Sequence, residues 1–443
     1  MDKLFKLKEN NTTVRTEVIG GLTTFFAMAY IIFVNPNILS MAIGEEYWSS
    51  IMVATCLSAA IGTLLTAFLA NVPFAQAPGM GLNAFFTYTV CFGMGYTWQQ
   101  ALSIVLISGI LFLIITLTPL RVVIVNGIPS SLKSAIGGGI GLFIAFIGLL
   151  GSEIIRLDAA ANITALNLSS GGKINSNAML AIIGLVIIAA LMVWKVKGAI
   201  FFGIIATTAI GFLFGITTLP ESATMGAIQL ATFWQFDFSG LMVNGLLPLI
   251  TAVISFAIVD MFDTIGTLVG TAAGAGMLDE DGNLPRGDKA LIADAIATCA
   301  GACLGTSTVT TYVESSSGIS EGARTGLSSV VVSILFLFSI FLAPIAGIVP
   351  SAATAPALII VGVLMLKGSI KSIEWENLEI AIPCFLTIAM MPFAYSISDG
   401  IAFGFIFYTL IKLICGKGKE VPALMYVLSI VFMLMYVLKI IVI

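Results

Sequence analysis

Residues 305–326 read GTSTVTTYVESSSGISEGARTG, a stretch too polar for a plain membrane helix yet flanked by apolar runs. From Thr306 to Val313 it is mostly β-branched or aromatic, which favours an extended strand. Glu314 then opens a helix. A second stretch of this kind, NVPFAQAPGMGLNAFFTYTV, fills residues 71–90. There Pro73 and Pro78 each remove a backbone donor, while Gly79 and Gly81 loosen the chain. The expectation is extended chain to about Gly81 and a helix starting near Asn83. Extended backbone cannot face lipid, because its polar groups stay unsatisfied. The two stretches are therefore expected to pair as a short antiparallel ribbon inside protein. Each would end at a half-helix N-terminus, whose partial positive charge and free N–H groups suit an electron-rich solute. Two surface loops are the alternative, but the tight apolar flanks and near absence of charge argue against it.

Composition sets the solvent. Of 443 residues, 59% are hydrophobic and 9% charged. A soluble domain carries roughly 25% charged residues. This chain lacks the charge to surface several soluble domains, so its outer solvent is lipid. The net charge of −4 gives no reason to expect a nucleic-acid partner. Cys56, Cys91, Cys299, Cys303, Cys384 and Cys415 lie in apolar runs without metal-ligand spacing, and there is no histidine. They read as small core residues, with no metal or cofactor expected. The N-terminal run MDKLFKLKENNTTVRTE has no cleavable apolar core and reads as mature cytoplasmic sequence.

A membrane helix needs about 20 apolar residues. Fourteen candidate segments follow: 17–40, 49–71, 79–95, 99–118, 131–151, 177–194, 198–216, 243–276, 289–304, 313–323, 325–349, 353–367, 377–395 and 397–415. A fifteenth apolar stretch, 421–443, either spans or lies in the interface. Lys3, Lys6, Lys8 and Arg15 place the N-terminus inside by the positive-inside rule. Arg121, Lys133, Lys195, Lys197, Arg286, Lys289, Lys367, Lys371, Lys412, Lys417 and Lys419 all follow even-numbered segments, so they fall on the same side. Arg156 and Lys173, in a long loop, are the exceptions. Segments one to seven and eight to fourteen make two odd-numbered halves, the sign of an inverted repeat. The short, Gly/Pro-interrupted or polar segments are the third and the tenth, the same place in each half. That pattern points to a solute site between them.

Segment eight carries AIVDMFDTIGTLVG, residues 257–270. Asp260 and Asp263 are three apart and share a helix face, which Thr267 continues. One charge at a helix centre costs ~2.5–3.5 kcal/mol on insertion scales, so two acids there imply function. For Asp260 alone, a helix–helix hydrogen bond explains it equally well. Glu314, at the strand-to-helix junction, is the third acid. Asp294 and Asp399 are weaker candidates, expected near the cytoplasmic entry and an outer interface. With histidine absent, any coupled proton has to ride on Glu314, Asp263 or Asp260. No phosphate-binding G-x-x-x-x-G-K-[ST] loop is present, so a gradient is the expected energy source. One charge through 100 mV supports roughly 50-fold accumulation.

The motifs GLTTFFAMAYIIFVNP (21–36), APGMGLNAFF (77–86), DMFDTIGTL (260–268) and the stretch 305–326 resemble those of the nucleobase:cation symporter-2 family, in its hypoxanthine/adenine/guanine branch. The resemblance covers nearly the whole chain. It implies an all-α polytopic membrane protein with fourteen transmembrane segments in a seven-plus-seven inverted repeat, with short antiparallel strands in segments three and ten. It implies a core domain (1–128 and 241–350), a gate domain (129–240 and 351–443) and a purine nucleobase held between the strands. The family's E-x-I-G acid falls on Asp263 and its segment-ten acid on Glu314, just after Tyr312 and Val313. The branch also uses a third-segment Asn, here Asn83. Related uracil carriers have a His where this chain has Thr267, and a Gly where it has Val313. Such a carrier imports hypoxanthine, adenine or guanine by alternating access with a proton, sodium being the alternative ion. The cell inner membrane is the expected location, and a homodimer is compatible with the sequence.

Purine chemistry agrees with these residues. Carboxylates at 263 and 314 can accept from ring N–H groups, and Asn83 can donate and accept. Phe262, Phe85 or Tyr30 can stack on the base, although aromatics in membrane helices more often pack. An inorganic-anion carrier of the same plan should show a basic group at the site, and none adjoins Asp263 in sequence. A channel should show polar rings through several segments. A membrane enzyme lacks His, a metal site or a Ser/Lys dyad. The triplet Gly137-Gly138-Gly139 suggests close helix approach at the core–gate boundary.

Overall fold

The computed structural model describes residues 2–158, 163–170, 173–217, 228–279 and 284–442. Each of the fourteen expected segments corresponds to one helix or to a short run of consecutive elements. Among the described residues, eight helices are long and apolar enough to cross a membrane: 14–43, 45–70, 98–117, 130–151, 176–193, 246–273, 351–370 and 397–414. Segments seven, eleven and thirteen are shorter apolar helices. Segment nine, Gly287–Leu304, is a full-length helix that carries Asp288, Lys289 and Asp294.

Segments three and ten are broken, as expected. The strand Gln76–Pro78 leads into the helix Met80–Ala84 and a wider π-helical stretch, Phe85–Gly93. The strand Val309–Thr311 precedes the helix Ser315–Ser320, with Glu314 as its N-cap residue. One boundary differs from the expectation. The third-segment helix begins at Met80, because the Asn83 amide already bonds the Gly79 carbonyl at 2.8 Å. Asn83 therefore lies one turn inside the helix. Segment one is also broken, into Val14–Met28 and Ile31–Ile43, with Tyr30 at the joint.

Segment five, Ser130–Gly151, packs on segment twelve, Ser351–Ile370, through small residues. A Cβ on Gly141 would lie 2.8 Å from the Gly362 carbonyl oxygen, and one on Gly148 2.9 Å from that of Ala355. Backbones meet this closely only where side chains vanish. The glycine triplet serves the same contact. Gly138 faces Ser369 and Gly139 faces Met391, in segments twelve and thirteen, so it does not mark a boundary with segments one to four. The stretch after segment fourteen forms the helix Ala423–Val442 and runs antiparallel along it. Ser429 meets Thr409 at 2.8 Å, Phe432 meets Phe405, and the Tyr436 hydroxyl donates to Asp399 at 2.7 Å. It does not lie flat.

The ion pairs support the charge-based sidedness. Arg121 pairs with Asp288, Lys197 with Glu321, and Lys412 with Glu379 and Glu420 at 3.0 and 2.9 Å. Every partner follows an even-numbered segment, so the basic loops share one face. On the opposite face, Gln100 donates to Asp237 at 3.0 Å and Asn244 to the Met94 carbonyl at 2.7 Å. Hydrogen bonds from Ser239, Gln100 and Gly240 hold the Asp237 carboxyl below the usual carboxylate range. Cys56, Cys91 and Cys384 are buried and Cys299 and Cys303 partly so, while Cys415 is exposed.

Candidate functional site

The two strands pair antiparallel, with Gln76 opposite Thr311, Ala77 opposite Thr310 and Pro78 opposite Val309. The Gly79 amide to the Thr308 carbonyl (3.1 Å) and the Tyr312 amide to the Ala75 carbonyl (2.9 Å) extend the pairing. A two-strand ribbon has two open edges, and here side chains close them. Thr63 of segment two receives the Gln76 amide at 2.9 Å and donates back to its carbonyl at 3.0 Å. Thr298 of segment nine receives the Val309 amide at 3.3 Å. Every strand side chain is buried.

Four carboxylates surround this ribbon. Glu314, at its end, accepts from the Tyr30 hydroxyl at 2.5 Å. Asp263 accepts a long contact from Thr310 at 3.5 Å, and the Thr310 and Thr264 hydroxyls meet at 2.9 Å. Asp260, fully buried, accepts from Thr298 at 2.8 Å. Asp294, also buried, accepts from Gln76 and Thr311, each at 3.0 Å. Asp260 and Asp294 each keep one buried oxygen without a hydrogen-bond partner. Asn83 accepts from Ser307, and its Nδ2 has no partner. A buried amide donor left unpaired costs about 1–3 kcal/mol.

The expected residues divide into those that gather and those that do not. Asp263, Glu314, Asn83 and Tyr30 stand around the ribbon. Tyr30 is fully buried, so its ring is not offered for stacking, and its hydroxyl is spent on Glu314. Tyr312 likewise spends its hydroxyl on the Pro78 carbonyl, at 2.6 Å. Phe85 packs edge-on against Phe256 at 4.6 Å and is wholly enclosed. Phe262 lies under the Lys133 ammonium, 5.3 Å from its ring centre. A cation from segment five thus stands beside the residue next to Asp263, which the local sequence does not reveal. Val313 is 52% exposed, at the strand end. Thr267, half-buried, follows Asp263 by one turn.

Two expectations are corrected. Asp294 is not at an entry; it braces both strands from behind. The half-helix N–H groups after Glu314 are not free either. Those of Ser315, Ser316 and Ser317 bond the carbonyls of Tyr312, Val313 and Glu314. Sequence reasoning also passed over Gln76, Thr298, Thr264 and Thr310. One signal was available: Asp294 and Thr298 are four apart, on one face of a small-residue helix.

The face of segment eight that bears Asp263 runs on toward the basic loops. Gly266 and Gly270 continue it, and a Cβ on either would meet nothing within 4 Å. Toward the opposite face the way is filled. Tyr88 of segment three packs on Tyr395 at 5.3 Å, Tyr395 packs on Phe143 of segment five at 5.6 Å, and Asn37 donates to Thr354 of segment twelve at 2.9 Å.

A model described as a permease family matches residues 15–403. A putative permease of Methanocaldococcus jannaschii is 48% identical over 99% of this chain and 98% of its own. A guanine/hypoxanthine permease of Bacillus subtilis is 43% identical over 99% of both chains. An adenine permease of Escherichia coli is 41% identical over 98% of this chain and 96% of its own. Among solved structures, the transmembrane domain of a cyanobacterial bicarbonate transporter aligns with TM-score 0.64, covering 87% of this chain and 97% of that one at 17% identity. A murine solute carrier 26 anion transporter in the inward-facing state aligns with TM-score 0.64 over 90% of this chain and 68% of its own, at 12% identity. At those identities the likeness is one of fold, the seven-plus-seven inverted repeat.

Proposed function

The chain belongs to the nucleobase:cation symporter-2 permease family, and from that premise we propose that it imports purine nucleobases by proton symport across the cell inner membrane. The full-length relatives named for guanine/hypoxanthine and for adenine support the substrate class. The observation that carries the reading is local: Asp263, Glu314 and the unpaired Asn83 amide stand around one buried ribbon. The carboxylates accept from purine N–H groups, and the Asn83 Nδ2 donates to a ring nitrogen or carbonyl. Val313 and Thr267 line the open side, where the base enters and leaves. Tyr30 and Tyr312 shape the pocket without touching the base.

Asp263, Glu314 and Asp260 carry the coupling charge. Asp260 and Asp294 each have one oxygen left over to hold a proton. The core domain comprises 1–128 and 241–350, the gate domain 129–240 and 351–443, and the basic loops with the N-terminus face the cytoplasm. The conformation described above is then open inward and closed outward. The deciding experiment is radiolabelled purine uptake into proteoliposomes, with and without an imposed pH gradient. Saturable uptake of hypoxanthine, adenine or guanine, abolished by a protonophore, is expected. No saturable purine uptake overturns the substrate; uptake that follows sodium and ignores the protonophore overturns the ion.

A further inference from the structure

We propose that the ion pair between Lys197 and Glu321 is a state-dependent latch, made while the site is open toward the basic face and broken on each transport cycle. The proposal rests on the core–gate division given above. Glu321 caps the C-terminal end of the helix Ser315–Ser320, whose N-cap residue is Glu314. One short helix therefore carries a substrate-facing acid at one end and the latch acid at the other. Lys197 lies in the turn between segments six and seven, where Lys195 (φ 58°) and Gly198 (φ 73°) are both left-handed. That turn rests directly on segment one: a Cβ on Gly198 would stand 2.9 Å from the Phe26 carbonyl oxygen. Next to it Phe26 stacks on Phe202 at 5.9 Å and Phe33 on Phe201 at 6.2 Å.

The hairpin of segments six and seven thus bears on both elements that hold Glu314. These are segment one, through Tyr30, and the helix that ends at Glu321. Any slide or rotation of core against gate has to part these contacts. The ring stacks are apolar and select no single register. The ion pair does, because opposite charges meet at one point. Its side chains are 55% and 29% exposed, so water screens it. A pair of that kind biases a two-state equilibrium by up to about fivefold. That suits a contact made and lost every cycle, since a buried pair would hold the carrier in one state. Neither residue touches the ribbon or its four acids, so the latch can be altered without altering the pocket.

The test uses the full chain in proteoliposomes. In the double variant Lys197→Cys/Glu321→Cys, a short bis-methanethiosulfonate, which bridges the two thiols through disulfides, is expected to arrest purine uptake, and reduction to restore it. Wild-type uptake from fully bridged protein overturns the latch. A second readout does not need transport. With Gly270→Cys as reporter in a Cys415→Ser background, Glu321→Gln or Lys197→Gln should change labelling by an impermeant maleimide from the basic face by about two- to fivefold. The charge swap Lys197→Glu/Glu321→Lys should return it. Labelling unchanged in both single variants also overturns the latch. Wild-type protein that takes up no purine counts against the proposed substrate instead, and the labelling arm still decides the latch.

Discussion

The Tyr30 hydroxyl donates to Oε1 of Glu314 at 2.5 Å, tying the break in segment one to the end of the second strand. Tyr30 is fully buried, so this bond, not its ring, is what it offers the site. A hydrogen bond to a charged acceptor contributes roughly 1.5–3 kcal/mol. Tyr30→Phe keeps the ring and deletes the donor. We expect KM for purine to rise about tenfold or more while the protein stays folded, because Glu314 loses its fixed orientation. A variant with wild-type KM would return Tyr30 to a packing role.

Asp263 and Glu314 are half-buried, whereas Asp260 and Asp294 are enclosed. If the first pair receives the base, Asp263→Asn and Glu314→Gln each abolish uptake without loss of expression or of thermal stability in detergent. The amides are nearly isosteric but turn one acceptor oxygen into a donor, which clashes with a purine N–H. Binding should fail along with transport. Calorimetric titration with hypoxanthine separates this from a coupling role, since a residue that only carries the proton would leave binding intact.

The broken segments were readable because two local signals coincide in each: residues that disfavour a plain helix, and apolar flanks that forbid a solvent loop. The pairing and the junction at Glu314 followed from the need to satisfy extended backbone inside a membrane protein. The bracing was not readable. Asp294 lies between apolar residues in a helix whose loop carries charges, and only the tertiary contact with Gln76 and Thr311 removes it from the entry. Lys133 reads as a loop cation until segment five folds over Phe262. The start of the third-segment helix was misplaced for a related reason. Gly81 looks like a helix breaker, yet a Cβ there would lie 3.7 Å from the Ile140 Cβ and in closer conflict with that side chain, so the glycine is kept for close approach to segment five.

Asp294 bridges the strands, so its removal is expected to damage the fold before the chemistry. Asp294→Ala leaves the Gln76 amide and the Thr311 hydroxyl without this acceptor in a dry interior, at a cost of about 1–3 kcal/mol each. The expected result is a lowered melting temperature and little folded protein in size-exclusion profiles. Asp263→Ala is the comparison, because its one long contact at 3.5 Å faces the open side and should cost little stability. Equal stability for the two variants would remove the bracing role.

The ribbon also has a steric seam. A Cβ on Gly79 would lie 2.6 Å from Cγ2 of Thr310, the residue whose hydroxyl reaches Asp263. Gly79→Ala must then push the strands apart or swing Thr310 aside, and overpacking of this kind costs typically 1–3 kcal/mol. Uptake is expected to fall sharply, because the displaced hydroxyl no longer orients Asp263. Thr310→Ser removes the offending methyl and keeps the hydroxyl, so alone it should transport nearly normally. Combined with Gly79→Ala it should recover much of the lost uptake and stability. The coupling between two touching residues is read directly from this double-mutant cycle. Additive losses in the double variant would mean that the Thr310 methyl is not what the glycine avoids.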